Sequence, residues 1–325
     1  MEKPIKLSIA IPTYNRSRFL QEALESIVAQ LVEGVDIVVS DNGSSDDTLQ
    51  VLETYKKNYP IHVCGFSANQ GIDRNIVHVM ENSQGEYLHL FGDDDLLMPG
   101  ALAQILTELY CTAPTLMCLN HFAFHNHSLQ DRQPPFLPKK RKVFSQGEQF
   151  FRYCGLGFLS SLIIRRQEAM RYLTKVRFGK ECAHVDIAAR VALQKDALCV
   201  YLGSVAIAGR SLDTPRYHMM CSCVLYLKEL YDELLQERLL SCKLHRFFMR
   251  RLLYKEIPRI SYKMRKNQEN LLPAKKLLKE AFPSKMWIDW MMQDRSWLLW
   301  VFATLSLFVK AGRWLSCKRS SRSDR

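Results

Sequence analysis

The chain has 325 residues, of which 47% are hydrophobic and 24% charged, with 45 Lys and Arg against 33 Asp and Glu and a formal net charge of +12. That composition is globular: it excludes a disordered or fibrous chain, and the length excludes a small disulfide-stapled scaffold. The charge is uneven, since residues 210–325 hold 24 Lys and Arg against 11 Asp and Glu, a net +13, and residues 1–209 hold 21 against 22, a net −1. A basic bias confined to one third of a chain favours an anionic partner there.

In chain order, Leu7-Ser-Ile-Ala-Ile11 is a short apolar run ended by Pro12, and Phe19, Leu20, Ala23, Leu24, Ile27 and Val28 follow at helical spacing. Val35–Val39 predicts a second strand, followed by Asp41-Asn-Gly-Ser-Ser-Asp46, a loop of turn and capping residues. A helix to about Tyr59, a strand at Ile61–Cys64, a helix over Ile72–Asn82 and a strand at Glu86–Phe91 continue the series. Repeated strand-helix units of this length predict an α/β fold with a parallel, doubly wound sheet. Ligands in such sheets bind at the carboxyl ends of the strands.

The middle of the chain is less regular. Leu116–Phe124 and Leu159–Ile164 read as strands, and the basic, Pro-rich stretch from Gln133 to Lys142 reads as an exposed loop. His121, His125 and His127 read as polar residues near a strand end rather than zinc ligands. From about Tyr217 the pattern is helical throughout, with amphipathic stretches at Leu227–Leu235 and Leu244–Leu252. The ten Cys form no CxxC pair and several lie in apolar runs, so they read as reduced, mostly buried residues of a reducing compartment. The N-terminus carries no long apolar stretch of the kind a secretory signal needs.

Three features fall at predicted strand ends: Pro12-Thr-Tyr-Asn15, Asp41, and Gly92-Asp-Asp-Asp95. A parallel sheet places those ends on one edge, so the three loops converge on one crevice. Clustered carboxylates there repel one another unless a cation joins them, and oxygen ligands shared with a diphosphate suit Mg²⁺ or Mn²⁺.

The stretches Leu7–Arg16, Val38–Asp46, Asn69-Gln-Gly71 with Arg74-Asn75, Gly85-Glu-Tyr87 and Asp93–Asp95 before Pro99-Gly100 resemble family 2 glycosyltransferases of the GT-A fold. The match covers about residues 5–110 in order and spacing. Gly157–Arg166 extends it, and the later stretch resembles bacterial surface-polysaccharide sugar transferases, O-antigen or capsule enzymes including the abequosyltransferase-like subgroup.

The resemblance implies a mostly parallel Rossmann-like sheet with a helical C-terminal extension. It implies a catalytic domain over residues 1–210, with a nucleotide-sugar half at 1–110 and an acceptor half at 111–210. Pro12, Thr13, Tyr14, Asn15, Asp41, Arg74 and Asp93 fall at nucleotide-sugar positions, and Asp94 and Asp95 at metal positions for Mn²⁺ or Mg²⁺. Aligned on Pro99, the usual D-x-D-D run would begin at Gly92, which favours Asp94 as the direct ligand. Inverting transfer needs a base for the acceptor hydroxyl. The family's paired Glu-Asp is absent from Gly179–Arg190, where Glu181 and Asp186 both qualify and Asp186 is favoured for its place near a helix start.

Residues 211–325 form the basic helical region. Its segment 286–316 contains the 14-residue apolar run Ser296–Val309, all five Trp and flanking cations. About 21 Å of helix is too short for roughly 30 Å of bilayer hydrocarbon, so the segment reads as an anchor lying on an anionic membrane surface. The combined expectation is a cytoplasmic, peripheral inner-membrane enzyme moving a sugar from a nucleotide-diphosphate donor to a lipid-linked glycan, with no nucleic-acid partner. The alternative is a non-catalytic nucleotide-sugar or polyanion binder recruited by its tail.

Overall fold

A computed structural model of the chain describes residues 5–125, 129–211 and 220–283. Residues 1–213 and 214–325 are two compact units. The first begins with β1 (Leu7–Thr13), buried at every position, as a strand covered on both faces must be. Helix α1 (Ser17–Val28) turns Leu20, Ala23, Leu24 and Ile27 inward, a three-four spacing that makes one apolar stripe. The series continues through β2 (Val35–Asp41), α2 (Thr48–Lys56), β3 (Ile61–Gly65), α3 (Ile72–Glu81) and β4 (Tyr87–Leu90).

Strands β1, β2, β3 and β4 pair in parallel in the order β3-β2-β1-β4, with Thr13 in register with Asp41. The α/β, mostly parallel architecture expected from the strand-helix alternation is therefore present, and the strand ends share one edge.

The second half of this unit contains β5 (Leu96–Leu97), α4 (Ala101–Thr112), β6 (Leu116–Phe124), β7 (Lys142–Phe144), α5 (Gly147–Cys154), β8 (Leu162–Arg165), α6 (Arg166–Met170), α7 (Ala183–Ala192) and β9 (Cys199–Arg210). They extend the sheet to the order β3-β2-β1-β4-β8-β6-β9-β5, with β7 also on β9. Strand β8 runs antiparallel to both β4 and β6. The strand expected at Leu159–Ile164 is shorter, because Leu159–Ser161 coils into a single 3₁₀ turn before β8 begins. The twelve-residue β9 has no counterpart among the expected strands, although it pairs along the whole of β6.

The stretch Gln133–Lys142 is mostly exposed and irregular, as expected, and is tied to the sheet. Its backbone N–H groups at Gln133 and Phe136 donate to Ala123 and His121 of β6, and Arg141 forms a two-bond ion pair with Glu108 of α4. His121 lies within β6, its ring against Phe136 and Phe158. His127 lies outside the described residues.

In the second unit, α8 (Leu227–Gln236) buries Leu230, Tyr231 and Leu234, and α9 (Cys242–Arg251) buries Leu244 and Phe248. With α10 (Ile257–Lys266) and α11 (Leu272–Ala281) they complete the described part, where Ile257, Ile260, Met264, Ala274 and Leu278 form a core. Among the described residues no helix is long and apolar enough to cross a membrane. Segment 286–316, expected to be the interfacial anchor, lies outside them. The eight described cysteines are all free thiols; Cys118, Cys154, Cys182 and Cys199 are buried, whereas Cys111 and Cys242 are exposed.

Candidate active site

The edge where β1, β2 and β4 end is built by backbone bonds that the loop sequences supply. Asp41 is 5% exposed, and its carboxylate accepts from the Ser44 N–H and hydroxyl, folding the Asp41–Ser44 turn. The Asn15 N–H donates to Ser44 Oγ at 2.8 Å, and the Ser45 N–H donates to Asn15 Oδ1 at 2.8 Å, which ties the first loop to the second. Asn15 holds a left-handed conformation with φ 52°, a backbone state Asn tolerates better than most residues.

Behind these loops the buried Asn75 of α3 donates to the Thr13 and Ser40 carbonyl oxygens and accepts from the Ser40 hydroxyl, stapling both strand ends to one helix. Tyr14 is exposed, and Arg74 is exposed with its guanidinium 4.4 Å from the Phe178 ring centroid.

The run Asp93–Asp95 follows β4 directly. Asp95 is 3% exposed: one carboxylate oxygen accepts from the Arg210 N–H at 2.9 Å, the other from the Ser160 hydroxyl. Ser160 Oγ also accepts from the Gly92 N–H at 2.7 Å, so a single hydroxyl clamps both ends of the turn. A Cβ at Gly92 would lie 2.9 Å from Asp95 Oδ2 and 3.2 Å from Ser160 Oγ. Arg210, at the end of β9, donates from Nε to the Asp94 carbonyl oxygen and from Nη2 to Glu22 of α1.

Asp94 is partly exposed, with Oδ2 3.7 Å from Arg16 Nη1. Burial and the neighbouring Asp94 charge push the Asp93 carboxyl up to about 7, and the same two causes push Asp95 up to about 8. Asp94 is also raised by burial, against the pull of Arg16 and Arg210.

Among the described residues no three His, Cys, Asp or Glu side chains are grouped to hold an ion by themselves. Asp95 has both oxygens engaged by the protein and Asp93 accepts from the Tyr14 N–H, which leaves Asp94, crowded by like charge and partly exposed, as the most available carboxylate. One carboxylate plus ligand phosphates is a donor set that Mg²⁺ and Mn²⁺ accept. The residues fit an ion shared with a bound diphosphate; they do not fit a protein-only cage.

The two carboxylates read as base candidates are placed differently. Asp186 is 3% exposed in the interior of the unit, 2.6 Å from Arg190 Nε one helical turn away. Glu181 is exposed and sits in a left-handed conformation, φ 56°, just ahead of α7.

The start of α7 is held by a residue that sequence reading passed over. The buried Asp73 of α3 accepts from the Lys180 and Glu181 N–H groups at 2.8 Å and from Ala183 N–H at 3.0 Å, capping a helix 107 to 110 residues downstream. An acid in the first turn of its own helix gives no sequence signal for that role. Ser160 and Arg210 were missed for the same reason, since their bonds to the acidic turn cross 65 to 116 residues of chain.

Residues 8–167 match the family model described as Glycosyl transferase family 2. Abequosyltransferase RfbV of Salmonella typhimurium is 38% identical over 116 residues, 34% of this chain and 35% of that protein. The Campylobacter jejuni GalNAc(5)-diNAcBac-PP-undecaprenol beta-1,3-glucosyltransferase is 35% identical over 105 residues, 32% of this chain and 34% of that protein. The aligned stretch thus spans about a third of the length of these relatives. Among solved structures, the Pyrobaculum calidifontis mannosyltransferase PcManGT in complex with GDP-Man and Mn²⁺ superposes with a TM-score of 0.58 at 13% identity, covering 97% of this chain and 84% of that one. S. aureus TarS 1–349 in complex with UDP-GlcNAc superposes with a TM-score of 0.57 at 16% identity, covering 71% and 66%. These likenesses concern the fold, which is GT-A.

Proposed function

Since residues 8–167 are a family 2 glycosyltransferase domain, we propose that the chain transfers a sugar, with inversion, from a nucleotide-diphosphate donor to a hydroxyl of a lipid-linked glycan during bacterial surface-polysaccharide synthesis. The observation that carries the reading is the convergence of Thr13, Asp41 and Asp93–Asp95 at one edge of the sheet. The printed activity of the Campylobacter jejuni relative, glucosyl transfer to GalNAc(5)-diNAcBac-PP-undecaprenol, supports the acceptor class.

In this reading the Pro12–Asn15 loop and Asp41 hold the nucleoside, with the exposed Tyr14 ring offering a face for the base. Arg74 lies toward the diphosphate. Asp94 is the residue that would hold a divalent ion together with the donor diphosphate, and such an ion would neutralise charge on the departing nucleoside diphosphate. Asp95 keeps the turn in shape through Ser160 and Arg210, and Asp93, hydrogen-bonded to the Tyr14 N–H, would contact the sugar nucleotide. The basic C-terminal region, with segment 286–316, is proposed to keep the enzyme on the cytoplasmic face of an anionic membrane, where lipid-linked acceptors lie.

The test is release of nucleoside diphosphate when the purified chain is incubated with UDP-, GDP-, CDP- and dTDP-linked sugars and Mn²⁺. Slow hydrolysis of one donor class supports the reading. Tight nucleotide binding with no turnover on any donor would favour a binding protein instead.

A further inference from the structure

We propose that Arg16 is a displaceable counter-cation of Asp94, and that its contact makes the loading of a divalent ion conditional on a nucleoside diphosphate. The inference deepens the transferase reading above and rests on it.

The pair bridges two strand ends. Arg16 follows the Pro12–Asn15 loop after β1 and precedes α1, Asp94 lies in the turn after β4, and β1 and β4 are parallel neighbours. Arg16 Nη1 stands 3.7 Å from Asp94 Oδ2, and both side chains reach solvent, at 38% and 23% exposure. The contact therefore lies at the edge where the strands carrying Thr13 and Asp41 end, within reach of a ligand that enters the crevice.

The hold is loose. A charge-assisted hydrogen bond spans roughly 2.7–2.9 Å, so at 3.7 Å the two charges attract without a bond that fixes their geometry. Two other arginines of the unit show the contrast. Arg190 Nε lies 2.6 Å from Asp186 Oδ1, and Arg210, 1% exposed, donates to Glu22 and to the Asp94 carbonyl oxygen. Arg16 is anchored through its backbone N–H, which donates to Thr48 Oγ1 at 3.4 Å, and its guanidinium carbon lies 5.6 Å from the Phe19 ring centroid. The head of the side chain is thus steadied near the acidic turn without being bound to it.

The surroundings give the contact its consequence. Among the described residues Arg16 is the one cation within ion-pair distance of the Asp94 carboxylate, and its charge acts on both Asp93 and Asp94, pulling each carboxyl down against burial. A divalent ion on Asp94 would share one carboxylate with a guanidinium a few ångströms away, and like charges so placed repel. A diphosphate reverses that balance, because it brings negative charge and acceptor oxygens that suit the guanidinium fork, so Arg16 gains a partner as Asp94 is freed. Nucleotide and ion then raise each other's affinity by one common factor, as linked binding requires. In the empty crevice the same contact offsets the mutual repulsion of the acidic turn.

The experiment measures Mn²⁺ affinity without nucleotide, by electron paramagnetic resonance of the free ion near neutral pH, for wild type, Arg16→Gln, Arg16→Lys, Arg18→Gln and the double variant Arg16→Gln with Asp94→Ala. Calorimetry of UDP, GDP, CDP and dTDP with and without Mn²⁺ gives the coupling. Arg16→Gln should bind Mn²⁺ at least about threefold more tightly than wild type. That gain should be absent from Arg16→Lys, which keeps the charge, and from Arg18→Gln, which removes an equal charge two residues on. It should also vanish when Asp94→Ala is added, and the factor by which Mn²⁺ raises nucleotide affinity should fall at least about twofold in Arg16→Gln. Equal Mn²⁺ affinity of wild type and Arg16→Gln overturns the inference, as does a gain that survives Asp94→Ala or appears equally in Arg18→Gln; tighter nucleotide binding with Mn²⁺ in the wild type would still leave the transferase reading intact. A wild type that binds none of the four nucleotides, with or without Mn²⁺, overturns both.

Discussion

Removing the Asp73 carboxylate should unseat the start of α7. In Asp73→Ala, three backbone donors 107 to 110 residues away, at Lys180, Glu181 and Ala183, lose bonds of 2.8, 2.8 and 3.0 Å. A hydrogen bond to a charged group contributes about 1.5–3 kcal/mol, and loss of a helix N-cap costs about 0.5–2 kcal/mol. The three bonds are not additive, because Glu181 is exposed and its N–H can turn to water, whereas Ala183 is 1% exposed and its N–H cannot. The loss is therefore about 2–5 kcal/mol, a large part of the roughly 5–15 kcal/mol that holds a domain folded. Asp73→Asn keeps one acceptor oxygen and should lose about half as much. All five Trp lie between 287 and 314, so tryptophan fluorescence reports on the wrong part of the chain. Urea unfolding followed by far-ultraviolet circular dichroism, with amide exchange of residues 183–192, is the suitable assay. A loss below about 0.5 kcal/mol in Asp73→Ala, with exchange in α7 unchanged, would refute the capping argument.

Two further outcomes follow from buried titratable groups. Burial lowers His121 from its ordinary 6.5 to about 4, so between those values the unfolded chain binds a proton that the folded chain does not. Its contribution is complete above pH 6.5 and is lost as pH falls toward 4, at up to about 1.4 kcal/mol per pH unit. Asp93 and Asp95 act oppositely: their pKa values are raised on folding, so they stabilise the fold as pH falls through 8 and 7. The difference in stability between wild type and His121→Phe cancels them and should shrink in favour of the variant from pH 6.5 to 4.5; a pH-independent difference would contradict the assignment. Arg190→Met should cost about 3–5 kcal/mol by removing the cation beside a buried carboxylate, and the double variant with Asp186→Leu should recover much of it. Equal urea midpoints for wild type and Arg190→Met would overturn that view of the pair.

How far the sequence reaches is clear from particular residues. The strand-end motifs were legible because a parallel α/β repeat places every strand's carboxyl end on one edge, whatever the loops contain. Thr13 and Asp41 stand in register as that logic requires. The second half resists reading because its order comes from distant partners. Strand β9 sits between β6 and β5 with register shifts near Asn120, and nothing local in Cys199–Arg210 announces them. Arg210 looked like the first cation of the basic region, yet its side chain is buried and bonded to Glu22 and to the Asp94 backbone. Similarly, Asp186 reads from the sequence as a base candidate at a helix start. Its burial beside Arg190, one helical turn on, is set by packing that the local sequence does not announce.

The central claim is transfer from a nucleotide sugar through the acidic turn, and Asp94 is its most exposed point. The direct measurement is nucleoside diphosphate release from the preferred donor by wild type and by Asp94→Ala, each with Mn²⁺ and after chelation. Turnover in the wild type that falls at least about 100-fold on chelation and in Asp94→Ala, with the variant's circular dichroism unchanged, is the predicted result. Equal turnover by Asp94→Ala, or a wild-type rate indifferent to chelation, would contradict the account.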